Sequence, residues 1–467
     1  MTANADALFD SRPRGRRRAR TEAADPIVTS PSRVRALLGS LALLLVVPGC
    51  AATVNRARAV QDPASAIPGE RTPTAGELGL PSSGRVALAP LVRTALAVHP
   101  SVVAARHAAE AAFTRIRATE GALRPQASVG ASAAYRDQSE TSSGPVEHRF
   151  ESFGFDVSWL LFDFGQTAAF VRQAAAQWLA AQQDLRAAEV QAAFGVRSAY
   201  FELAKDIELL VTAKETVAQF QDHLDQVVEL ERVGSRIAYD VTKAKVDLGN
   251  AKLLEVRAAD ALLVARAALA NAVGLAESLD WVPDSPDGPL DVTFTPKDFD
   301  AAWAATLPSR PALAAAAARE QAAFALVDAR VAALYPSLSI DLGYSKSGAK
   351  PPLPWSFNLG PSIRWTPFDG FQNLASIDES VATLRGARTA RAAEEQAAWL
   401  DVKTAWIAIE DATKRVELES LVVASAEENL TLAQGRFDAG VGTSVDLSDA
   451  RQSRVVALAG RIQARAA

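Results

Sequence analysis

The sequence predicts an α+β fold that is built from a duplicated unit and contains four β-strands and several long α-helices. In each half, two segments with apolar residues at every second position indicate strands with one apolar face. Each pair of strands leads into a proline-free run of about 67 residues, which as a helix would be roughly 100 Å long. Phe162 and Phe368 are separated by the same 206 positions as Gly234 and Gly440. This constant offset indicates an internal duplication.

The first 49 residues are predicted to be a leader that contains a lipoprotein signal peptide. Arginines 12–20 precede an apolar run over 36–47, which is too short to span a bilayer as a helix. The run ends at Val47-Pro48-Gly49-Cys50, which resembles a bacterial lipobox. We expect Cys50, the only cysteine, to carry a covalent diacylglycerol and palmitate, and we expect no other cofactor and no metal. A plain signal peptide with an incidental cysteine is the alternative.

The charge of the chain argues against a nucleic-acid partner. The net charge is −5, and removal of residues 1–49 takes away eight arginines and four acids, which lowers it to −9. A mildly acidic protein repels a polyanion.

The first repeat is predicted to span residues 85–274, after a lipid anchor and tether over 50–84 that is rich in proline, alanine, glycine and threonine. It should contain a short helix, a weak strand ending at Tyr135, a polar loop over 136–149 and a second strand. That strand ends in a turn formed by Phe162, Asp163 and Gly165. A long helical hairpin follows, with helices over 166–232 and 239–273.

The second repeat is predicted to span residues 301–467, after a connector over 275–300 that contains four prolines. Its strands place the apolar residues Leu338, Ile340, Leu342, Tyr344, Trp355, Phe357, Leu359, Ile363 and Trp365 on one face. The strand-to-helix turn is formed by Phe368, Asp369 and Gly370, and a helical run continues to Asp438.

The four strands have the length and the two-faced pattern of membrane-spanning β-strands. Four strands cannot close a barrel, and open edges would be unsatisfied in lipid. Three chains would supply twelve strands and close one. A soluble β-sandwich is the alternative, but four strands are few for it. The alanine-rich helices bury little area per residue, so they must pack side by side, as in a ring of hairpins.

Three features of residues 88–467 are typical of a known family: the paired Phe-Asp turns, the helix starts at His99-Pro100 and Arg310-Pro311, and the two hairpin ends. In these features the segment resembles the TolC-like outer membrane efflux protein family. The lipidated N-terminus resembles one branch of it. The resemblance implies a homotrimer with a 12-stranded β-barrel in outer membrane lipid and an α-helical barrel in the periplasm. It implies a passive channel of a tripartite efflux or secretion system, which exports small molecules from the periplasm of a Gram-negative bacterium.

The resemblance also implies partners and site residues. The hairpin ends would contact a periplasmic adaptor (membrane fusion) protein, which links the channel to an inner-membrane pump, through Val233, Gly234, Ser235, Ala439, Gly440 and Val441. Asp446 and Asp449 match a carboxylate pair at the pore entrance, and Asp240 matches a residue that helps to keep the entrance closed. Asp446 could instead cap the last helix.

One departure from the family concerns the closed entrance. Where family members have a tyrosine and an arginine that contact the residue matching Asp240, this chain has Phe437 and Gly442. We therefore expect other contacts to close the entrance.

An enzymatic function is not expected. The sequence has no nucleotide-binding loop, zinc motif or nucleophile elbow. The histidines at 99, 107, 148 and 223 are scattered and are expected to be surface residues. Two alternative functions stay open: the outer membrane component of type I protein secretion, and a periplasmic coiled-coil adaptor or scaffold.

Overall fold

The computed structural model divides the chain into two units, Met1–Ala66 and Ile67–Ala467. It describes residues 70–135, 149–284, 298–349 and 352–466, and a few residues between 53 and 61 that are mainly helical. The predicted lipidation site, Cys50, and residues 136–148 of the predicted loop over 136–149 lie outside the described residues, and residue 149 belongs to a strand.

The second unit contains six strands and eight helices within the described residues. The strands are β1 (Ser83–Val86), β2 (Gln126–Tyr135), β3 (Arg149–Phe162), β4 (Asp280–Pro283), β5 (Ser337–Gly348) and β6 (Trp355–Arg364). The helices are α1 (Leu88–Val98), α2 (Pro100–Glu120), α3 (Gln166–Arg232), α4 (Ala238–Val273), α5 (Phe299–Ser309), α6 (Pro311–Ala332), α7 (Gln372–Asp438) and α8 (Ser444–Ala466).

The four predicted strands form one antiparallel sheet in the order β2-β3-β5-β6. One face of this sheet is apolar and exposed. Across the strands, Phe155 lies opposite Tyr344, and Tyr344 lies opposite Phe357. Ile363 on β6 is 74% exposed. Because alternate residues point to opposite faces, the same strands present polar side chains on the other side.

Serine and aspartate side chains connect the strands on the polar face. Ser132 and Ser152 are hydrogen-bonded at 2.7 Å, and the Ser158 hydroxyl donates to Asp341 at 2.6 Å. Asp341 also accepts from Ser362. The sheet therefore has a lining of hydrogen-bonding groups on one face and an apolar surface on the other.

The duplication is visible in the two long helices. Both α3 and α7 contain 67 residues, and their first residues, Gln166 and Gln372, are 206 apart. The aspartates of the preceding turns cap them. The Thr167 N–H donates to Asp163 at 2.7 Å, and the Asn373 N–H donates to Asp369 at 2.9 Å. These contacts satisfy backbone donors that have no partner inside a helix.

Each of these turns contains two consecutive residues at positive φ. They are Phe164 (φ 56°) and Gly165 (φ 86°) in the first turn. The second turn has Gly370 (φ 71°) and Phe371 (φ 70°), so the order of glycine and phenylalanine is exchanged. The two turns share this backbone conformation, although glycine, which adopts positive φ most readily, stands one position earlier in the second turn.

Alanine allows the helices to pack closely. α3 packs against α2, α4 and α6, and α7 packs against α6 and α8. The buried side of α6 is entirely alanine: Ala315, Ala318, Ala322, Ala323, Ala325, Ala329 and Ala332. Among the described helices, none is by itself long and apolar enough to cross a membrane, although the bent pair Leu88–Val98 and Pro100–Leu123 passes by length and composition.

The largest core surrounds a small parallel sheet that the sequence did not predict. β1 lies at the end of the predicted tether, β4 lies in the predicted connector, and the two strands pair in parallel. The fully buried indole of Trp281 donates to the Pro81 carbonyl at 2.7 Å. The Tyr200 hydroxyl donates to the carbonyls of Val86 and Asp284, each at 3.1 Å. These contacts attach both segments to the middle of α3.

Candidate functional site

The two helical hairpins end in matching turns. The Gly234 N–H donates to Glu231 at 2.9 Å and the Ser235 N–H donates to Leu230 at 2.8 Å. In the second hairpin, Gly440 and Val441 make the equivalent bonds to Phe437 and Arg436. These pairs define Schellman motifs, in which the glycine takes a left-handed conformation. Gly234 and Gly440 both have φ 75°.

The two turns contact each other through Arg236. Its guanidinium donates to the Gly442 carbonyl at 3.3 Å and lies 4.4 Å from the centre of the Phe437 ring. A β-carbon at Gly442 would lie 2.9 Å from backbone atoms of Arg436 and Phe437, which is too close. The packing therefore requires glycine at position 442. The guanidinium at this contact belongs to Arg236 of the first hairpin.

Phe437 is buried in a small core that joins the hairpins. It packs with Val227 of α3 and Leu447 of α8, and its ring contacts the His223 ring edge to face at 5.7 Å. This core lies directly beside the turns. The contacts between hairpins at this end are therefore apolar as well as charged.

The expectation that His223 is a surface residue is wrong. The side chain is 1% exposed, and neither ring nitrogen has a hydrogen-bond partner within the described structure. Burial, reinforced by the nearby Arg451, lowers its pKa to about 4. Its helical position, with apolar residues at 220, 224 and 227, was the available sequence signal.

A charged network joins α4 to α8 beside this core. The Lys243 ammonium lies 2.9 Å from Asp247, and the Ser448 hydroxyl donates to Asp247 at 2.5 Å. The same side chains line a cavity of about 390 Å³ that Asp449 also lines. The predicted carboxylate Asp449 therefore lies beside a neutralised pair, and its own side chain is exposed.

Asp446 forms a capping box at the start of α8. The Thr443 N–H donates to its carboxylate at 3.2 Å, and the Asp446 N–H donates to the Thr443 hydroxyl at 3.0 Å. Hydrogen bonds from Thr443 hold the pKa of Asp446 below its usual range. The carboxylate is exposed, so capping leaves it charged and open to solvent.

Asp240, the third predicted entrance carboxylate, lies in the first turn of α4 and is half-buried. Within the described residues, no hydrogen bond or ring contact joins Asp240 to Phe437 or Gly442. Asp240 is the residue of the first repeat that matches Asp446 of the second, so this position is acidic in both repeats. The residue that matches Asp449 is Lys243, so this position carries opposite charges in the two repeats.

A groove of about 560 Å³ runs beside the tip between α3, α7 and α8. The Arg451 guanidinium in it donates to Gln434 at 3.1 Å. Acidic residues from α3 and α7, Asp222 and Glu427, line it together with Arg454. Within the described residues, no group of three or more His, Cys, Asp or Glu side chains is arranged to hold a metal ion.

The fold and the tip define a class of proteins in which a two-faced four-stranded sheet is continued by two long helical hairpins whose ends meet. A family model described as outer membrane efflux protein matches residues 91–275 and 304–467. The chain belongs to the outer membrane efflux protein family.

Individual relatives are more distant. The chain is 31% identical over 209 residues to outer membrane efflux protein BepC of Brucella suis, 44% of each chain. It is 25% identical over 303 residues to outer membrane protein OprJ of Pseudomonas aeruginosa, 62% of this chain and 61% of OprJ. The chain spans about half the length of the curated relatives it matches. A CusC crystal structure aligns with a TM-score of 0.73 at 19% identity, over 81% of this chain and 88% of CusC, and shows the shared fold.

Proposed function

We propose that the chain is the outer membrane channel of a tripartite efflux system and passively exports small molecules from the periplasm of a Gram-negative bacterium. The observation that carries the proposal is the sheet, with one exposed apolar face and one polar face, continued by 67-residue helices. Lipid would cover the first face and water the second. Family membership and the relative BepC, which is named as an efflux protein, support the same function.

A trimer completes the conduit. Strands β2 and β6 form the edges of the sheet, so each pairs on one side within the described structure. Unpaired backbone groups are costly in a bilayer, and neighbouring copies can pair them. Three copies give a closed barrel of twelve strands. The exposed apolar residues on α4 and α7, such as Leu263, Val264, Leu418 and Leu421, would pack against the neighbouring copies.

The hairpin ends form the periplasmic entrance. Asp446, Asp449 and Asp240 from three copies would place nine carboxylates around it, and such a field attracts cations. The adaptor protein would contact the turns at 233–235 and 439–441, where Val233 and Val441 are exposed. The inner-membrane pump supplies the energy, so the channel needs no catalytic residues. Cys50, as the lipidated N-terminus, would anchor the protein in the outer membrane.

The experiment is purification from membranes in detergent followed by electrophoresis and planar-bilayer recording. We expect a heat-sensitive oligomer of three chains that conducts ions. A monomer without conductance, released from membranes by high salt after Cys50→Ala, would support a periplasmic scaffold instead.

A further inference from the structure

Exposed aromatic rings surround the junction between the sheet and the long helix α3. The Phe162 and Phe164 rings are in contact at 4.8 Å, and Phe164 stacks on Tyr335 at 5.0 Å. All three rings are about half exposed. Tyr335 has an amphipathic ring of the kind that concentrates where hydrocarbon meets water, and girdles of aromatic residues mark both interfaces of membrane β-barrels.

Two cavities lie at this junction, and Arg172 lines both of them. One, of about 420 Å³, lies between α2 and α3 and is lined by Glu120, Leu123, Arg124 and Val171. The other, of about 380 Å³, lies between α3 and α6 and is lined by Phe164, Asp328 and Tyr335. We call the two together the junction crevice.

The junction crevice is connected to the apolar face of the sheet. Phe162 lies opposite Leu338, which lies opposite Ile363, in one apolar row across the strands. Phe164, which lines the crevice, packs on Phe162. On the other side, the Trp159 indole, from the same apolar face, donates to the carbonyl of the crevice residue Leu123 at 3.0 Å. The crevice therefore begins where the apolar surface ends.

Its charges have both signs. The Arg172 guanidinium lies 3.1 Å from Asp328, and this pair is well exposed, so it contributes little to stability. Arg172 has five N–H donors, of which this contact uses one. Arg124 and Glu120 make no ion pair within the described part of the chain, although both line the crevice.

We propose that the junction crevice binds the headgroup of a zwitterionic phospholipid with a primary amine, of the phosphatidylethanolamine type. Arg172 and Arg124 would hold the phosphate, since guanidinium groups match its geometry. Asp328 and Glu120 would accept hydrogen bonds from the ammonium group, and the acyl chains would continue over Phe162 and Trp159. Equal numbers of both charges favour a zwitterion over an anionic lipid. The proposal rests on the proposed function, because it needs the sheet to lie in a membrane.

Neighbouring copies would leave the α3–α6 part of this crevice open. Phe164 and Tyr335 line that part next to β3 and β5, the two central strands of the sheet, whereas a trimer pairs through the edge strands β2 and β6. Arg124, in the other part, lies just before the edge strand β2. The crevice also lies within one chain, so each copy of a trimer carries its own site.

The test is native mass spectrometry of the delipidated, detergent-purified protein with added phosphatidylethanolamine, phosphatidylglycerol, phosphatidylcholine or inorganic phosphate. We expect the first lipid to bind best, and Arg172→Gln to weaken its binding roughly tenfold through a lost charge-assisted hydrogen bond. Arg186→Gln, an exposed arginine on the same helix, should bind like the wild type. Asp328→Asn should shift the preference towards phosphatidylglycerol.

Three results would overturn the proposal: equal lipid binding by the two arginine variants, equal binding of phosphatidylcholine, or competition by inorganic phosphate at the same concentration as lipid. Oligomeric state and conductance are measured on the same samples. A conducting trimer that fails the lipid test refutes the headgroup site alone, whereas a non-conducting monomer refutes the channel.

Discussion

The guanidinium of Arg236 donates to the carbonyl oxygen of Gly442, and these two residues occupy the same position in the two repeats, 206 apart. An arginine at position 442 would be excluded by the backbone of Arg436 and Phe437. The arginine instead stands at the equivalent position of the first hairpin and reaches across to the second.

Removal of this guanidinium should loosen the tip. We expect Arg236→Ala to cost about 1–2 kcal/mol of stability, from the lost cation–π contact and hydrogen bond, and to raise the conductance in planar bilayers. Arg232→Ala is the matched control, because Arg232 pairs only with the exposed Glu229 beside the same turn. Equal conductance of the two variants would show that Arg236 does not restrain the entrance.

Packing at Gly442 gives a second prediction. Gly442→Ala should destabilise the protein, because the new β-carbon meets backbone that cannot move without disturbing Phe437. Gly435→Ala lies on α7, where a β-carbon meets nothing within 4 Å, and should stabilise by up to about 1 kcal/mol. Thermal unfolding followed by circular dichroism measures both changes. If Gly442→Ala did not lower the unfolding midpoint relative to Gly435→Ala, the packing at Gly442 would not restrict a side chain.

His223 predicts an acid-sensitive tip. Its pKa is about 4 when folded and about 6.5 when unfolded, so the unfolded chain binds the proton first. Stability should therefore fall as pH drops from about 6.5 to 4, by at most about 3 kcal/mol, and level off below. The positive charge would meet Arg451, Arg236 and Lys243, with Asp247 as the opposing charge.

The pH dependence is measured as the unfolding midpoint between pH 7.5 and pH 4. His223→Leu should flatten it, and replacement of the exposed His107 by glutamine should leave it unchanged. The Asp446 carboxylate titrates in a lower window, because its pKa is depressed and its contribution is lost only below the usual range. If His223→Leu showed the same pH dependence of the unfolding midpoint as the wild type, other titrating groups would be responsible for that dependence.

The capping box allows charge and structure to be separated at Asp446. Asp446→Asn keeps an oxygen for the Thr443 N–H, whereas Asp446→Ala loses this hydrogen bond and should lower the unfolding midpoint. If the carboxylate faces the pore, either change combined with Asp449→Asn should reduce cation selectivity, read from the reversal potential. If neither double variant changed the reversal potential, Asp446 would serve only as part of the helix cap and not in ion selectivity.

The regular elements were predictable because their signals are local. The helix over 166–232 has the predicted ends, since the Asp163 turn and Gly234 mark where a helix can begin and stop. The four strands agree because one apolar face requires alternation. The confirmed family membership follows from the same repeated pattern.

The unpredicted features depend on contacts between distant segments. β1 and β4 have four residues each and are separated by almost two hundred positions, so neither carries a periodic signal. Phe371 takes a left-handed conformation that its side chain disfavours, and only the repeat relationship to Gly165 points to it. At the tip, four helices (α3, α4, α7 and α8) converge and bring His223, Lys243 and Asp247 together. The sequence of any one helix does not reveal this convergence.

The equal length of α3 and α7 constrains how the protein can change. One inserted residue would advance the end of a helix by about 1.5 Å and rotate it by about 100°. An insertion in α3 would therefore move Arg236 away from Gly442, and an insertion in α7 would move Gly442 away from Arg236. Insertions in the two helices must therefore occur together and in whole turns. Variation in the length of the hairpins among relatives should accordingly appear as matched blocks of about seven residues in both arms of both hairpins.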